Sequence, residues 1–255
     1  MFKGFFEQIV SALEGIGEIT VLFGQTLYYT LRGKFNLSSV FTQMAHVGVD
    51  SLGVASVTAA FVGMVFAIQI ASEFVKFGAG NIVGGVMGIA VARELAPALT
   101  AVVLAARVGA AIAAEIGTMN VTEQVDALYA MGSSPIKHLV VPRFLACTFM
   151  LPILTIFADL IGFIGGYAVA VYVVGINPVG YMDSANSFLS LSDITGGVIK
   201  AFFFGMIISI VGCFMGLRAK GGARGVGEAT TNSVVMSLLS IFVINYFLSV
   251  ILFKR

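Results

Sequence analysis

Charge is what this sequence has least of. Only 11% of its 255 residues are Asp, Glu, Lys or Arg, against roughly 25% in a soluble domain. Hydrophobic residues make up 58%, more than a globular core of this size needs, so the composition excludes an ordinary soluble domain and points to a polytopic membrane protein. The formal net charge is +1, and no basic stripe exists to neutralise phosphates, which excludes a nucleic-acid partner. Cysteine is nearly absent too. Cys147 and Cys213 lie far apart, each inside an apolar run, and read as small buried hydrophobes rather than as a disulfide or metal ligands. His46 and His138 are isolated, so no His/Cys cluster is spaced to hold a metal. No G-x-x-x-x-G-K-[ST] is present, and so no phosphate cradle. The glycines of GGARGVG lack the lysine and the strand-to-helix context, and read as a flexible turn. The serines have no base and orienter at readable spacing, which leaves an intramembrane hydrolase unsupported.

What remains is a succession of long apolar blocks. Residues 1–34 begin with Phe2, Phe5, Phe6, Ile9, Val10, Leu13 and Ile16 at helical spacing, with Glu7, Glu14 and Glu18 on the remaining surface. That pattern describes an amphipathic helix lying in the bilayer interface, an ordinary packed helix being the alternative. Acids interrupt the run and no small-residue cleavage pattern follows, which argues against a signal peptide. Five spans follow, at about 47–72, 82–114, 144–174, 196–217 and 234–253. The second block would be about 50 Å long as a helix, against a hydrocarbon core of about 30 Å. It is therefore tilted, broken near Pro97, or projecting beyond the membrane. It also holds Arg93, Glu94 and Arg107, which are expensive in lipid and should face protein or a wet cavity. Gly162/Gly166 and Gly212/Gly216 have the GxxxG spacing of close helix packing.

Orientation follows from the connections. Arg32 and Lys34, Lys137 and Arg143, and Arg218, Lys220 and Arg224 fall on one side of five spans. The 176–195 connection, INPVGYMDSANSFLSLSDIT, has no Lys or Arg and falls on the other. By the positive-inside rule the amino terminus is cytoplasmic and the carboxyl terminus outside, with Lys254-Arg255 counting mildly against this.

The chain is organised around the polar interruption from Arg107 to Arg143. Thr122 followed by acids marks the start of a short helix over 120–132, which Gly132, Ser133, Ser134 and Pro135 stop. On the orientation above this helix is cytoplasmic, where a soluble partner can reach it. Asp126-Ala127-Leu128 followed by Gly132 has the acid-Ala-apolar-x-x-x-Gly spacing of ABC importer permease loops. The longer string VARELAPALTAVVLAARVGAAIAAEIGTMNVTEQVDALYAMGSSPIKHLVVPR, from Val91 to Arg143, resembles the MlaE (YrbE) family of ABC transporter permeases, as does GGARGVGEATTNSVV from Gly221 to Val235. The resemblance covers nearly the whole chain as a single permease domain.

That resemblance implies an all-α membrane protein: an amphipathic interfacial amino-terminal helix, then five transmembrane helices with a cytoplasmic coupling helix between spans 2 and 3. It implies a non-catalytic, homodimeric subunit in a bacterial inner membrane. ATP and Mg would be held by a separate cytoplasmic ABC ATPase, with an MCE-domain protein on the periplasmic side and possibly a small cytoplasmic STAS-type subunit. The cargo would be phospholipid, moved between the inner membrane and the outer envelope. Glu123, Gln124, Asp126, Ala127, Leu128 and Gly132 would sit on the coupling helix, and Arg93 and Glu94 would match the charged pair near the lipid cavity. Arg93 can offer bidentate donors to a phosphate. Alternatively, Arg93 and Glu94 pair with other intramembrane groups and hold the fold. As helix neighbours they point about 100° apart and need not pair with each other. Asp50, Glu115 and Asp159 read as structural partners of other charges. A different class, an ion- or proton-coupled secondary transporter, would use Asp50, Asp159 or Glu94 as carrier sites. It would call for inverted repeats, which five spans with one dominant helix do not offer.

Overall fold

The computed structural model describes residues 2–33 and 36–254, with the side chains of residues 2–13 outside the description. The stripe from Phe2 to Leu13 that suggested an interfacial helix therefore lies outside the described side chains. Every described element is helical. Helix α1 covers Phe2–Leu31 and α2 covers Leu37–Lys76. Asn36 caps α2, its side chain accepting from the Ser38 amide at 3.0 Å. Helix α3 runs over Gly80–Val121, α4 over Gln124–Ala130, α5 over Ile136–Tyr172 and α6 over Pro178–Phe188. Helix α7 covers Leu191–Leu217 and α8 covers Gly222–Phe253. Five of these, α2, α3, α5, α7 and α8, are long and apolar enough to cross a membrane.

The spans are longer than their apolar runs. Helix α3 has 42 residues and α5 has 37, so α3 would be about 63 Å long, twice the hydrocarbon thickness. The excess carries α3 past its apolar run on the side of α4. Pro97 does not break it, since the helix continues through Ala96–Leu104 after a π-turn at Val91–Leu95. Helix α6 falls in the connection read from the sequence as a loop. Asn177 caps it, accepting from the Val179 amide at 2.9 Å, and Pro178 occupies its first turn.

Chain order sets two ends. The α1–α2, α3–α5 and α7–α8 connections lie with α4, whereas the α2–α3 turn, α6 and the carboxyl terminus lie at the opposite end. Helices α2 and α5 make the broadest contact, and glycine is what lets them approach. A Cβ on Gly63 would overlap the Gly162 carbonyl, while Gly166 lies over Met87 and the Gly63 carbonyl. The other GxxxG pair, Gly212 and Gly216, closes α7 against the Gly109 carbonyl and Ile116 of α3. Two buried apolar clusters result. One joins Leu104, Ile116, Phe144, Leu151, Phe204 and Ile208; the other joins Ala67, Val83, Met87, Ala158 and Tyr181. Cys147 and Cys213 are both free and fully buried in the first.

Helix α1 packs on that first cluster through Leu22, Ile19 and Phe23, with the Phe23 ring edge-on to Phe144 at 6.1 Å. Glu18 pairs with Arg218 at 3.4 Å. Its described part is therefore a helix with one packed face, and Ile16, Val21, Leu27 and Leu31 stay exposed on the other.

Candidate functional site

The intramembrane site starts from a missing donor. In an α-helix the amide of residue 97 would bond the carbonyl of residue 93, and Pro97 has no N–H to give. The helix widens into a π-turn over Val91–Leu95, the five residues that hold Arg93 and Glu94, a local form that recurs at functional sites. The open Arg93 carbonyl takes a hydrogen bond from Lys200 Nζ of α7 at 2.8 Å. Lys200 can reach it because Gly197, one turn earlier, lies so close on the Ala92 carbonyl that a Cβ would overlap it.

All three ammonium protons of Lys200 find acceptors. Besides the Arg93 carbonyl they meet Glu94 Oε1 and Ser249 Oγ, each at 2.7 Å. Glu94 is bonded in turn through both oxygens. Ser249 Oγ lies 2.8 Å from its Oε1, and Asn245 Nδ2 donates to its Oε2 at 3.0 Å. The Lys200 side chain is fully buried, whereas that of Glu94 is 44% exposed. One carboxylate thus ties α3 to both α7 and α8.

Arg93 turns the other way. Its Nε donates to Asp193 Oδ1 at 2.9 Å, and its Nη2 lies 2.7 Å from the same oxygen. Asp193 is aimed by a capping box at the start of α7, its Oδ2 accepting from the Ser190 amide at 2.9 Å and from the Ser190 hydroxyl at 2.8 Å. The guanidinium also stands 4.7 Å from the centre of the Phe253 ring, a cation–π contact. It remains a third exposed, and no described residue accepts from Nη1. Charged donors therefore face outwards beside an aromatic ring, a combination suited to a polar head on an apolar body.

The far end of α3 carries a different surface. Thr122 does not cap α4. It ends α3, its hydroxyl bonding back to the Thr118 carbonyl at 2.8 Å, because α3 runs on to Val121 and puts that acceptor one turn away. Glu123 then takes a left-handed conformation, φ +61°, and α4 begins at Gln124. Of this seven-residue helix only Val125 is buried. Glu123, Gln124, Asp126 and Ala127 are exposed and Leu128 is half-buried. Tyr129 and Met131 present apolar surface at 60% and 70% exposure. Gly132, exposed and at φ +72°, turns the chain back towards α5.

Comparison with known proteins decides what this arrangement belongs to. The model of the family described as Permease MlaE matches residues 40–251. The chain belongs to the MlaE family of ABC transporter permeases. Relatives agree along most of its length. A probable ABC transporter permease protein of Synechocystis is 50% identical over 233 residues, 91% of this chain and 89% of the relative. One of Rickettsia typhi is 44% identical over 86% of this chain and 84% of the relative. The protein TRIGALACTOSYLDIACYLGLYCEROL 1, chloroplastic, of Arabidopsis thaliana is 42% identical over 92% of this chain and 67% of its own length.

Within this MlaE-family permease the expected site residues fall into two groups, one about a third of the way along α3 and the other just beyond its carboxyl end. Arg93 and Glu94 lie side by side in one π-turn yet pair in different directions, to Asp193 and to Lys200. The six residues from Glu123 to Gly132 share the α4 turn. Sequence reading missed Asp193, Lys200, Asn245, Ser249 and Phe253. Lys200 had a signal, as the one basic residue inside the apolar run 196–217.

The other intramembrane acids divide. Asp50 lies 3.8 Å from Arg107 and 3.1 Å from His46, and Arg107 donates to Ser51 Oγ at 2.6 Å. Arg107 sits in a second π-turn, Ala105–Gly109. Glu115 pairs with Arg143 at 2.7 Å. Asp159 was expected to have such a partner and has none among the described residues: both carboxylate oxygens are buried without a hydrogen bond. In α6, outside the spans, Tyr181 is fully buried beneath Phe163 and Tyr167, and burial pushes its phenol up from the ordinary tyrosine range.

Proposed function

We propose that this MlaE-family permease moves phospholipid between the inner membrane and the outer envelope, driven by a cytoplasmic ABC ATPase that docks on α4. One observation carries the reading. A single continuous helix, α3, leads at its carboxyl end into an exposed helix with acids and apolar side chains and carries, about a third of the way along, a partly exposed charged network inside the spans. Nucleotide-driven closure of an ATPase pair would push on α4, and α3 would transmit the displacement to Arg93 and Glu94. Arg93 would meet the lipid phosphate through its partly exposed guanidinium, while Glu94, already bonded to Lys200 and Asn245, would hold α7 and α8 in place. The Arabidopsis relative carries the name of a diacylglycerol glycolipid, which supports a diacylglycerol lipid as cargo.

The permease would work as a homodimer. Only 11% of the apolar window of α8 is buried in the single chain, against 61% for α7, and a second copy would cover part of that face. The amino terminus and α4 would be cytoplasmic, and α6 and the carboxyl terminus periplasmic, where an MCE-domain protein would receive the lipid. A small STAS-type subunit would sit with the ATPase, on which ATP and Mg are bound.

The test is purification of the chain from its native membrane in gentle detergent, with partner proteins and lipids identified by mass spectrometry. A P-loop ATPase and stoichiometric phospholipid are the expected companions. Recovery without an ATPase overturns the docking role of α4; an ATPase with a glycolipid instead overturns the phospholipid alone. The variant Asp126→Lys sharpens this. At an exposed site it should shift stability by no more than about 0.5 kcal/mol. ATP hydrolysis by the reconstituted complex should then continue without lipid movement. Lipid transport at the unsubstituted rate would remove Asp126 from the interface.

A further inference from the structure

A second cluster of charge lies between α2 and α3, nearer α4 than the Arg93–Glu94 turn. Gln43, His46 and Asp50 form a stripe along α2, and Arg107, Ala111 and Glu115 form one along α3; the two stripes line a cavity of about 200 Å³. Its charged side chains are accessible, with Arg107, Asp50 and Glu115 at 39%, 48% and 57% exposure. Their bonding is incomplete. Arg107 uses Nη1 on Ser51 Oγ at 2.6 Å and on the His46 carbonyl at 3.4 Å. Its Nη2 is 3.8 Å from Asp50, too far for a hydrogen bond, and none of the described residues accepts from Nε or Nη2. Glu115 gives one oxygen to Arg143 at 2.7 Å, and its other oxygen receives no hydrogen bond from the described residues. The cavity thus offers donors at one level and an acceptor about 12 Å nearer α4 along the α3 axis, a gap the two side chains shorten. Away from α4, Val54, Val57 and Phe61 continue the Asp50 stripe into the membrane, and all three are exposed.

We propose that this cavity holds the head of an aminophospholipid from the leaflet on the α4 side, its phosphate on Arg107 and its ammonium on Glu115, with the tails along Val54, Val57 and Phe61. The proposal rests on the phospholipid reading and adds a second head-group station to the one at Arg93. The order of charge selects the occupant. In a phospholipid the phosphate lies next to the tails and the amine lies beyond it; in the cavity Arg107 lies next to the apolar stripe and Glu115 beyond it. A ligand that is anionic overall would meet Asp50 beside the guanidinium as well as Glu115. One that is cationic overall would meet Arg107 and, behind Glu115, Arg143. Each acid has an arginine beside it, Asp50 with Arg107 and Glu115 with Arg143, so these four charges sum to zero, which suits a zwitterion and opposes either ion alone. Of the zwitterionic heads, ethanolamine brings N–H donors for a charge-assisted bond to Glu115 and choline brings none.

The experiment is native mass spectrometry of the full chain in a non-ionic detergent, with phosphatidylethanolamine, phosphatidylcholine and phosphatidylglycerol of the same acyl chains at equal concentration. A saturable phosphatidylethanolamine adduct is expected, held roughly tenfold more tightly than either of the others, the worth of one charge-assisted bond. Glu115→Gln, which keeps an acceptor for Arg143, should bring it down to the phosphatidylcholine level, and Arg107→Gln should remove the selective adduct. Equal binding of the ethanolamine and choline lipids overturns the proposal, a contrast that needs no variant. Phosphatidylglycerol held as tightly as phosphatidylethanolamine overturns it too, as does an ethanolamine preference that survives Glu115→Gln. Free phosphoethanolamine carries the head alone: an adduct weaker than the lipid's supports a membrane source, and an equal one overturns it. Phospholipid bound without selectivity removes this site only, whereas a chain that retains no phospholipid removes the reading beneath it as well.

Discussion

Glu94 on α3 accepts from Lys200, Ser249 and Asn245, and so draws three spans together. Asp159 on α5 accepts from none of the described residues, and both its oxygens are buried. Desolvation penalises Asp159 more than the partly exposed Glu94, and only for Glu94 does the chain supply an offset among the described residues. The difference separates two uses of intramembrane charge. Around Glu94 the donors fix where α7 and α8 stand, so charge specifies the packing. Asp159 forms no ion pair and no hydrogen bond with the described residues, so its charge specifies no packing among them. Arg93 falls between them: Asp193 holds it, yet it is still a third exposed.

The comparison breaks most severely at Lys200. Lys200→Met keeps the unbranched apolar stem, one atom shorter, and removes its three donors. It leaves the Arg93 carbonyl and Glu94 Oε1 short of their partner, at a cost of about 3 kcal/mol. Thermal unfolding in detergent should register this as a drop of several degrees in Tm, and adding Glu94→Gln should recover part of it by removing the stranded charge. Unfolding of Lys200→Met together with the unsubstituted chain would show that the network does not hold the spans.

Gly197→Leu attacks the same network without touching a charge. A side chain at this position collides with the Ala92 carbonyl, and α7 must move off α3. Overpacking of this kind costs about 2 kcal/mol, and the displacement would draw Lys200 away from Arg93 and Glu94. The checkable result is a lowered Tm in Gly197→Leu with a smaller loss on adding Lys200→Met than the latter causes alone. Additive losses would mean that the close approach and the network are independent.

Arg93→Ala should have a smaller structural effect, because Asp193 keeps both bonds from Ser190. Its expected effect is on lipid. Co-purified phospholipid should fall roughly tenfold for the loss of one charge-assisted contact, while the ATPase stays bound. Unchanged lipid content would make Arg93 an anchor for α7 and nothing more.

The number of spans was legible in the sequence because apolar runs of bilayer length leave few alternatives. Their ends were less so: α3 extends to Val121 and α8 begins at Gly222, where polar residues continue a helix beyond the apolar run. Helix α6 had a readable start in Asn177-Pro178, overshadowed by the absence of basic residues around it. The intramembrane charges were legible as expensive, and Arg93 and Glu94 did prove to pair apart. Their partners were not legible. Lys200 lies 106 residues from Glu94, and Ser249 lies 155 residues from it. Nothing in local periodicity records such a separation. Thr122 had the residue type of a cap but not the role, because a hydroxyl takes whichever acceptor the backbone offers first.

Asp159→Asn sharpens the comparison with the smallest expected effect on the fold. The amide has nearly the same shape, carries no charge, and replaces a group that makes no hydrogen bond with the rest of the chain. Where Glu94→Ala would strand a buried ammonium, Asp159→Asn strands no charge. Tm in detergent should stay the same or rise slightly, since a neutral polar group costs less to bury than an unpaired charge. A loss of more than about 2 kcal/mol in Asp159→Asn, of the size seen when a buried pair is broken, would mean that the carboxylate has a structural partner after all. The contrast with Glu94 would then be one of degree.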